Sequence, residues 1–239
     1  MPAVLPPFLP YLVLSVVHLV LLSIGPDWSV TATKALLMPA LALAVVLAAP
    51  RPRAAACWLL VAGLGFSWGG DVALSFPGDG WFTIGLGSFL AAHLVYLALF
   101  LRLGRGAGEV RLRRRRRVPL WALVVYPVWF AGFLALLGPH TGALLVPVAA
   151  YGLALGAMAA FAAGNGPMLA AGGALFVVSD SVLGLGRFLP GYDFAWHDAV
   201  VMVSYLAAQG LIALGVVVHL RVAAMRSGAP APRAAATAR

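Results

Sequence analysis

The sequence predicts an all-α, polytopic membrane helical bundle of about eight transmembrane helices, with both termini in the cytoplasm. Three observations lead there. Of the 239 residues, 63% are hydrophobic and 10% charged, with a mean hydropathy of +0.99, whereas about a quarter of a water-soluble domain is charged. The apolar residues fall in runs long enough to cross a bilayer, which takes about 20 residues per helix. The basic residues gather on one side of those runs. The same composition excludes disorder, which needs low hydrophobicity and high charge. The 27 glycines and 17 prolines follow no collagen-like period.

Breaks at Pro, Gly or charge divide the chain into spans at about 8–24, 30–49, 56–76, 81–102, 118–138, 141–163, 167–189 and 196–220. Helices are expected because lipid cannot satisfy backbone polar groups, and the runs lack the alternation of barrel strands. Residues 1–10 carry no basic region, and the first apolar run leads into further spans. It is therefore expected to be a true helix and not a signal peptide. Residues 1–226 are expected to form a single transmembrane domain, followed by a disordered Ala/Pro-rich cytoplasmic tail at 227–239. Cys57, alone of its kind, permits no internal disulfide.

With eight spans, the second, fourth and sixth connections share a side with the termini. Arg51, Arg53, Arg102, Arg105, Arg111, Arg113 to Arg117, Arg221, Arg226, Arg233 and Arg239 all fall there, fourteen of the 16 basic residues. Only Lys34 and Arg187 lie elsewhere. The positive-inside rule makes that side cytoplasmic, in an integral, multi-pass plasma-membrane protein. The run Arg113 to Arg117 reads as a topology anchor and not a nucleic-acid site, so no nucleic-acid partner is expected despite the net charge of +9. Trp28, Trp81 and Trp196, near span ends, fit an interfacial belt. Gly65-x-x-x-Gly69 and Gly152-x-x-x-Gly156 read as helix-packing motifs.

Ionisable groups inside a span are costly and tend to face the bundle interior, which makes them functional candidates. Asp71 enters the third span by about 22 Å at 1.5 Å per residue, and Asp180 enters the seventh to a similar depth. Two carboxylates are thus expected at one level, past the midplane. Ser67, Asp71 and Ser75 form an i, i+4, i+8 stripe, and His93 and Tyr96 are i, i+3 on the fourth span. Tyr11, Ser15 and His18 share a face of the first span, and Tyr205 and Gln209 share one on the eighth. Lys34 is the expected cation for one aspartate, and Arg187 a second candidate unless it only reaches the interface. For Tyr11 and His18 an interhelical hydrogen bond is as good a reading as function.

A faint repeat links the two aspartates. Asp71 leads to Phe76-Pro77-Gly78-Asp79, Trp81 and Ala91-Ala92-His93; Asp180 leads to Phe188-Leu189-Pro190-Gly191-Tyr192-Asp193, Trp196 and Ala207-Ala208-Gln209. The expectation is two four-helix halves in parallel orientation, related by an axis along the membrane normal.

The segments Trp68-Gly69-Gly70-Asp71-Val72-Ala73-Leu74, Ala92-His93-Leu94-Val95-Tyr96 and Gly173-Ala174-Leu175-Phe176-Val177-Val178-Ser179-Asp180-Ser181 resemble the YhhN-type family of membrane lysoplasmalogenases. Thr33-Lys34-Ala35-Leu36-Leu37-Met38-Pro39 is similar to that family's lysine motif, with Ala35 in place of proline. The likeness runs from about Lys34 to Gln209 and includes the eight-span layout. It implies cleavage of the vinyl ether bond of a lysoplasmalogen-type lysophospholipid, giving a fatty aldehyde and a glycerophospho-head group. Catalysis would rest on Asp71 and Asp180, supported by Lys34, His93, Tyr96, Tyr151, Ser179, Tyr205 and Gln209. The partners implied are the lysophospholipid and the surrounding membrane lipids.

The chemistry suits these residues. Enol ethers resist hydroxide but hydrolyse once the β-carbon is protonated and water adds to the resulting oxocarbenium. A carboxylic acid can supply the proton, while a second carboxylate steadies the cation and takes a proton from water. Asp180 is the preferred acid and Asp71 the water-orienting base. No cofactor is called for, and nothing resembles a zinc or calcium ligand set. Two other readings remain open: a proton-coupled transporter using the same acids as a relay, and a non-catalytic lipid-binding protein.

Overall fold

The computed structural model describes residues 4–51, 54–105 and 118–226. Among them are eight α-helices and no strand: α1 Leu9–Ile24, α2 Asp27–Ala48, α3 Ala55–Ala73, α4 Asp79–Arg105, α5 Leu120–Leu137, α6 Leu145–Ala163, α7 Pro167–Phe188 and α8 His197–Arg226. All eight are long and apolar enough to cross a membrane, and the protein is an integral, multi-pass membrane protein. Arg53, Arg111, Arg113 to Arg117, Arg233, Arg239 and the tail 227–239 lie outside the described residues.

Helix ends differ from the sequence expectation where local chemistry decides them. α2 begins at Asp27 and not near 30, because extended Pro26 precedes it and an acidic residue sits in its first turn, favourable next to the positive end of the helix dipole. α3 stops at Ala73, so Ser75 falls in a turn, with its hydroxyl donating to the Asp71 carbonyl at 2.9 Å. That turn leads to Pro77 and Gly78, whose φ of 111° suits a residue without a side chain. α8 runs on to Arg226 because no Gly or Pro interrupts it after Gly215.

The closest packing is within the pairs α3–α4 and α7–α8. α4 also packs on α6, which touches α5 and α7, while α8 reaches α1, α2 and α3. α8 is the most buried span and α5 the least. Large apolar side chains cover the outside, among them Val13, Leu43, Val124 and Val146, as expected where the solvent is hydrocarbon.

Small residues allow the inner helices to approach. A Cβ on Gly63 would fall 2.2 Å from the Tyr96 ring, and one on Gly70 2.5 Å from Phe89. Gly63, Gly69 and Gly70 of α3 all pack closely, a Cβ on Gly69 falling 2.9 Å from the Ser88 hydroxyl of α4. Gly65, expected to pack, faces open space, while Gly152 and Gly156 lie against Phe130 and Trp129 of α5. Polar side chains tie helices together, as is common without a hydrophobic force between spans. Tyr11 donates to the Leu206 carbonyl at 2.7 Å, His18 Nδ1 lies 2.8 Å from the Thr33 hydroxyl, and Trp68 donates to the Ala35 carbonyl at 2.8 Å.

Candidate active site

α3 and α7 both run toward the bundle end that also holds the start of α4. Each delivers one aspartate to the interior near that end. Asp71 and Asp180 are 3% and 8% exposed, so neither points at lipid. Each bonds to a helix of the other half of the chain, Asp71 on α3 to α8 and Asp180 on α7 to α4, and Asp180 also bonds to the neighbouring α6.

Asp180 receives the Tyr151 hydroxyl on Oδ2 at 2.5 Å, and His93 Nε2 lies 3.3 Å from the same oxygen and 3.1 Å from the Tyr151 hydroxyl. Tyr151 has one proton and donates it to Asp180. The pattern then assigns the N–H of His93 to Nε2. His93 Nδ1 is buried with no hydrogen-bond partner, consistent with an imidazole held by one nitrogen while its ring packs edge-on against Phe176 at 4.8 Å. Both contacts to Asp180 fall on Oδ2, and among the described residues no hydrogen bond reaches Oδ1.

Asp71 receives the Tyr205 hydroxyl on Oδ2 at 2.6 Å. Behind it, Gln209 Nε2 donates to Ser67 at 2.9 Å and approaches the Tyr205 hydroxyl at 3.4 Å, while Tyr96 donates to Gln209 Oε1 at 2.8 Å. The i, i+3 pair on α4 is therefore divided between the two centres: His93 serves Asp180, and Tyr96 serves the network of Asp71. No hydrogen bond joins the two carboxylates.

Aromatic rings stand between the centres. Phe176 touches His93 on one side and Tyr205 on the other, at 4.8 and 5.6 Å, and Phe89 packs on both Phe176 and Tyr205. On the Asp180 side opens a cavity lined by Asp180, Tyr151 and an apolar wall that includes Phe82, Phe89, Phe133 and Phe188. An apolar pocket with two polar groups at one place is a common form of ligand site. Asp71 is not among its lining residues, although Leu74, one turn further along, is.

The remaining candidates separate clearly. Among the described residues Lys34 makes no ion pair with an acidic side chain. Arg187 pairs with Asp79 and not with Asp180. Ser179 turns from the site and donates to the Val201 carbonyl at 3.1 Å. Sequence reasoning passed over the aromatic wall, yet a signal was present. Phe82, Leu86, Phe89 and His93 are spaced i, i+4, i+7, i+11 on α4, one continuous helix face. No group of three or more His, Cys, Asp or Glu suited to a metal gathers among the described residues.

Comparison with known proteins bears on the same residues. The YhhN family model matches residues 29–216, a stretch holding both aspartates and every side chain bonded to them. The chain is 38% identical over 164 residues to proteins named lysoplasmalogenase from Mycobacterium bovis and Mycobacterium tuberculosis, covering 66% of this chain and 59% of theirs. It is 33% identical over 190 residues to Lysoplasmalogenase TMEM86B of Rattus norvegicus, covering 79% of this chain and 73% of that one. The matched region thus spans less than two thirds of the mycobacterial relatives. No solved structure matches the chain.

Proposed function

The chain belongs to the YhhN family, and from that membership and the placement of Asp180 we propose that it is a membrane hydrolase of lysoplasmalogen-type lysophospholipids. The observation that carries the reading is a carboxyl group at the wall of an apolar cavity, with one oxygen held by Tyr151 and His93 and no hydrogen bond to the other among the described residues. If the carboxyl is protonated, the occupancy of Oδ2 by two donors directs the proton to Oδ1.

In this mechanism the alkenyl chain lies in the cavity, and Asp180 Oδ1 gives its proton to the β-carbon of the vinyl ether. The electron pair of the double bond forms the new C–H bond, and the ether oxygen shares the positive charge as an oxocarbenium. Asp180, now a carboxylate, takes a proton from the water that adds to the cationic carbon. As the hemiacetal breaks its bond to the glycerol oxygen, Asp180 gives its proton to that oxygen and takes the proton of the hemiacetal hydroxyl, releasing fatty aldehyde and the glycerophospho-head group and leaving Asp180 protonated. One carboxyl serving first as acid and then as base needs no second group at the water. The base role expected of Asp71 is accordingly reassigned. Asp71 places negative charge behind the Phe89–Phe176 wall, where low dielectric lets it favour the developing cation. Tyr151 and His93 fix the Asp180 rotamer.

The polypeptide is proposed to lie in a bacterial inner membrane with both termini cytoplasmic. The distribution of Arg supports that orientation, and the mycobacterial relatives support the setting. The cavity would then open toward the opposite side. The cross-bonding of α3 to α8 and of α7 to α4 supports two parallel four-helix halves.

The test is turnover by purified protein in detergent. Lysoplasmalogen should release fatty aldehyde with no ion gradient present. Absence of aldehyde, together with gradient-driven lipid or proton movement in proteoliposomes, would replace the hydrolase with a carrier.

A further inference from the structure

The mouth of the cavity carries a charged pair that the chemistry above does not use. Asp79 opens α4 and Arg187 stands one residue before the end of α7, and the two form an ion pair. The Arg187 guanidinium also lies 4.5 Å over the ring of Phe82, which packs edge-on against Phe188 at 5.7 Å. Both phenylalanines line the cavity that holds Asp180. Arg187 therefore sits on the outer rim of the site, and no Lys or Arg is among the cavity's own lining residues.

The pair is poorly suited to a structural role. Asp79 is 88% exposed and Arg187 38%, and exposed ion pairs contribute little to stability. The cation is nevertheless held in place, because its guanidinium lies over the Phe82 ring. A planar guanidinium so fixed, with one loosely held carboxylate as partner, is ready to exchange that carboxylate for a phosphate, which it can bind with two parallel hydrogen bonds.

The spacing along α7 agrees. Arg187 is seven residues beyond Asp180, about 10 Å along the axis and on the same helix face. In a 1-alkenyl lysophospholipid, seven bonds separate the β-carbon from the phosphorus, about 9 Å when extended. A lipid with its β-carbon at Asp180 has its phosphodiester at Arg187.

We propose that Arg187 is the head-group phosphate site of a single-chain phospholipid, that Asp79 is its placeholder in the empty protein, and that the pair makes the cavity select phosphorylated lipids over neutral ones. This specifies the substrate class of the hydrolase proposed above and rests on that reading for its biological meaning, but binding alone tests it. Asp79 competes with the phosphate, so its neutralisation strengthens phospholipid binding.

The experiment measures binding of two ligands that cannot be hydrolysed, a saturated 1-alkyl lysophospholipid and the corresponding 1-alkyl glycerol. Full-length protein in neutral detergent is used, with intrinsic tryptophan fluorescence as the readout. The wild type should prefer the phospholipid by about tenfold or more, the worth of one charge-assisted hydrogen bond. Arg187→Gln should bring that preference close to unity, Arg187→Lys should restore part of it, and Asp79→Asn should raise it. Retention of the preference in Arg187→Gln would overturn the proposal, and so would equal weakening of both ligands. Inorganic phosphate alone separates a lipid head-group site from a general anion site. Failure to displace the lysophospholipid at hundredfold excess supports the former, and displacement overturns it. Aldehyde release is measured separately, so loss of the hydrolase reading with the binding preference intact would be recognised as such.

Discussion

Asp180 and Asp71 are the same residue type on α7 and α3, each bonded through Oδ2 to one tyrosine, and they differ in their surroundings. Asp180 has a cavity before it and a short shell of Tyr151 and His93 behind it. Asp71 has behind it a chain of side chains through Tyr205, Gln209, Ser67 and Tyr96, and it does not line that cavity. In the mechanism proposed above, the contrast separates a carboxyl that touches substrate from one that acts through its charge and through the helices it ties together. A buried pair of acids need not divide catalysis by exchanging protons with each other; one can be sited and the other can set the field.

The largest effect should come from the sited carboxyl. Asp180→Asn should lower kcat for aldehyde release by about 10³-fold, within the range of a lost general acid, with the protein still eluting as a folded species in detergent. Asp71→Asn should cost less, about 10²-fold, since it removes an electrostatic contribution and not the proton itself. If the two losses were equal, the distinction between the centres would fail, and both carboxyls would have to reach the substrate.

Smaller changes probe the shells. Tyr151→Phe removes the 2.5 Å bond that holds Asp180 Oδ2 and should lower kcat about tenfold with little change in KM. Tyr205→Phe should mainly reduce thermal stability, by about 1–3 kcal/mol for a buried acceptor left without its donor. A larger loss of kcat in Tyr205→Phe than in Tyr151→Phe would move the chemistry toward Asp71. Gly70→Ala forces a Cβ against Phe89, the ring shared by the wall and the cavity. It should destabilise the protein by about 1–3 kcal/mol through overpacking, read as a lower unfolding temperature.

Much of this arrangement was legible in the residues, and for identifiable reasons. Eight spans follow from apolar run length because lipid leaves the backbone no alternative to helices. Asp71 and Asp180 stand out because a charge is expensive at that depth, and their partners Tyr205, Gln209 and His93 stand out as polar residues on otherwise apolar helices. What sequence spacing cannot supply is the rotation of one helix relative to another. That rotation sends Tyr96 to Gln209 and His93 to Asp180 although they are neighbours on α4, turns Ser179 toward the backbone of α8, and gives Arg187 to Asp79. Gly65 illustrates the same limit, because a four-residue glycine spacing marks a smooth helix face but not which neighbour covers it. α8 outran its expected end because charge stops a hydrophobic run without stopping a helix.

The central claim is that Asp180 protonates the β-carbon from the cavity side. Hydrolysis of lysoplasmalogen by the purified protein in D₂O measures it most directly, with mass spectrometry of the aldehyde as the readout. The account predicts a single deuterium at the carbon next to the aldehyde, and its rate of appearance should collapse in Asp180→Asn. Aldehyde without that deuterium, or labelled aldehyde formed by Asp180→Asn at the wild-type rate, would contradict it.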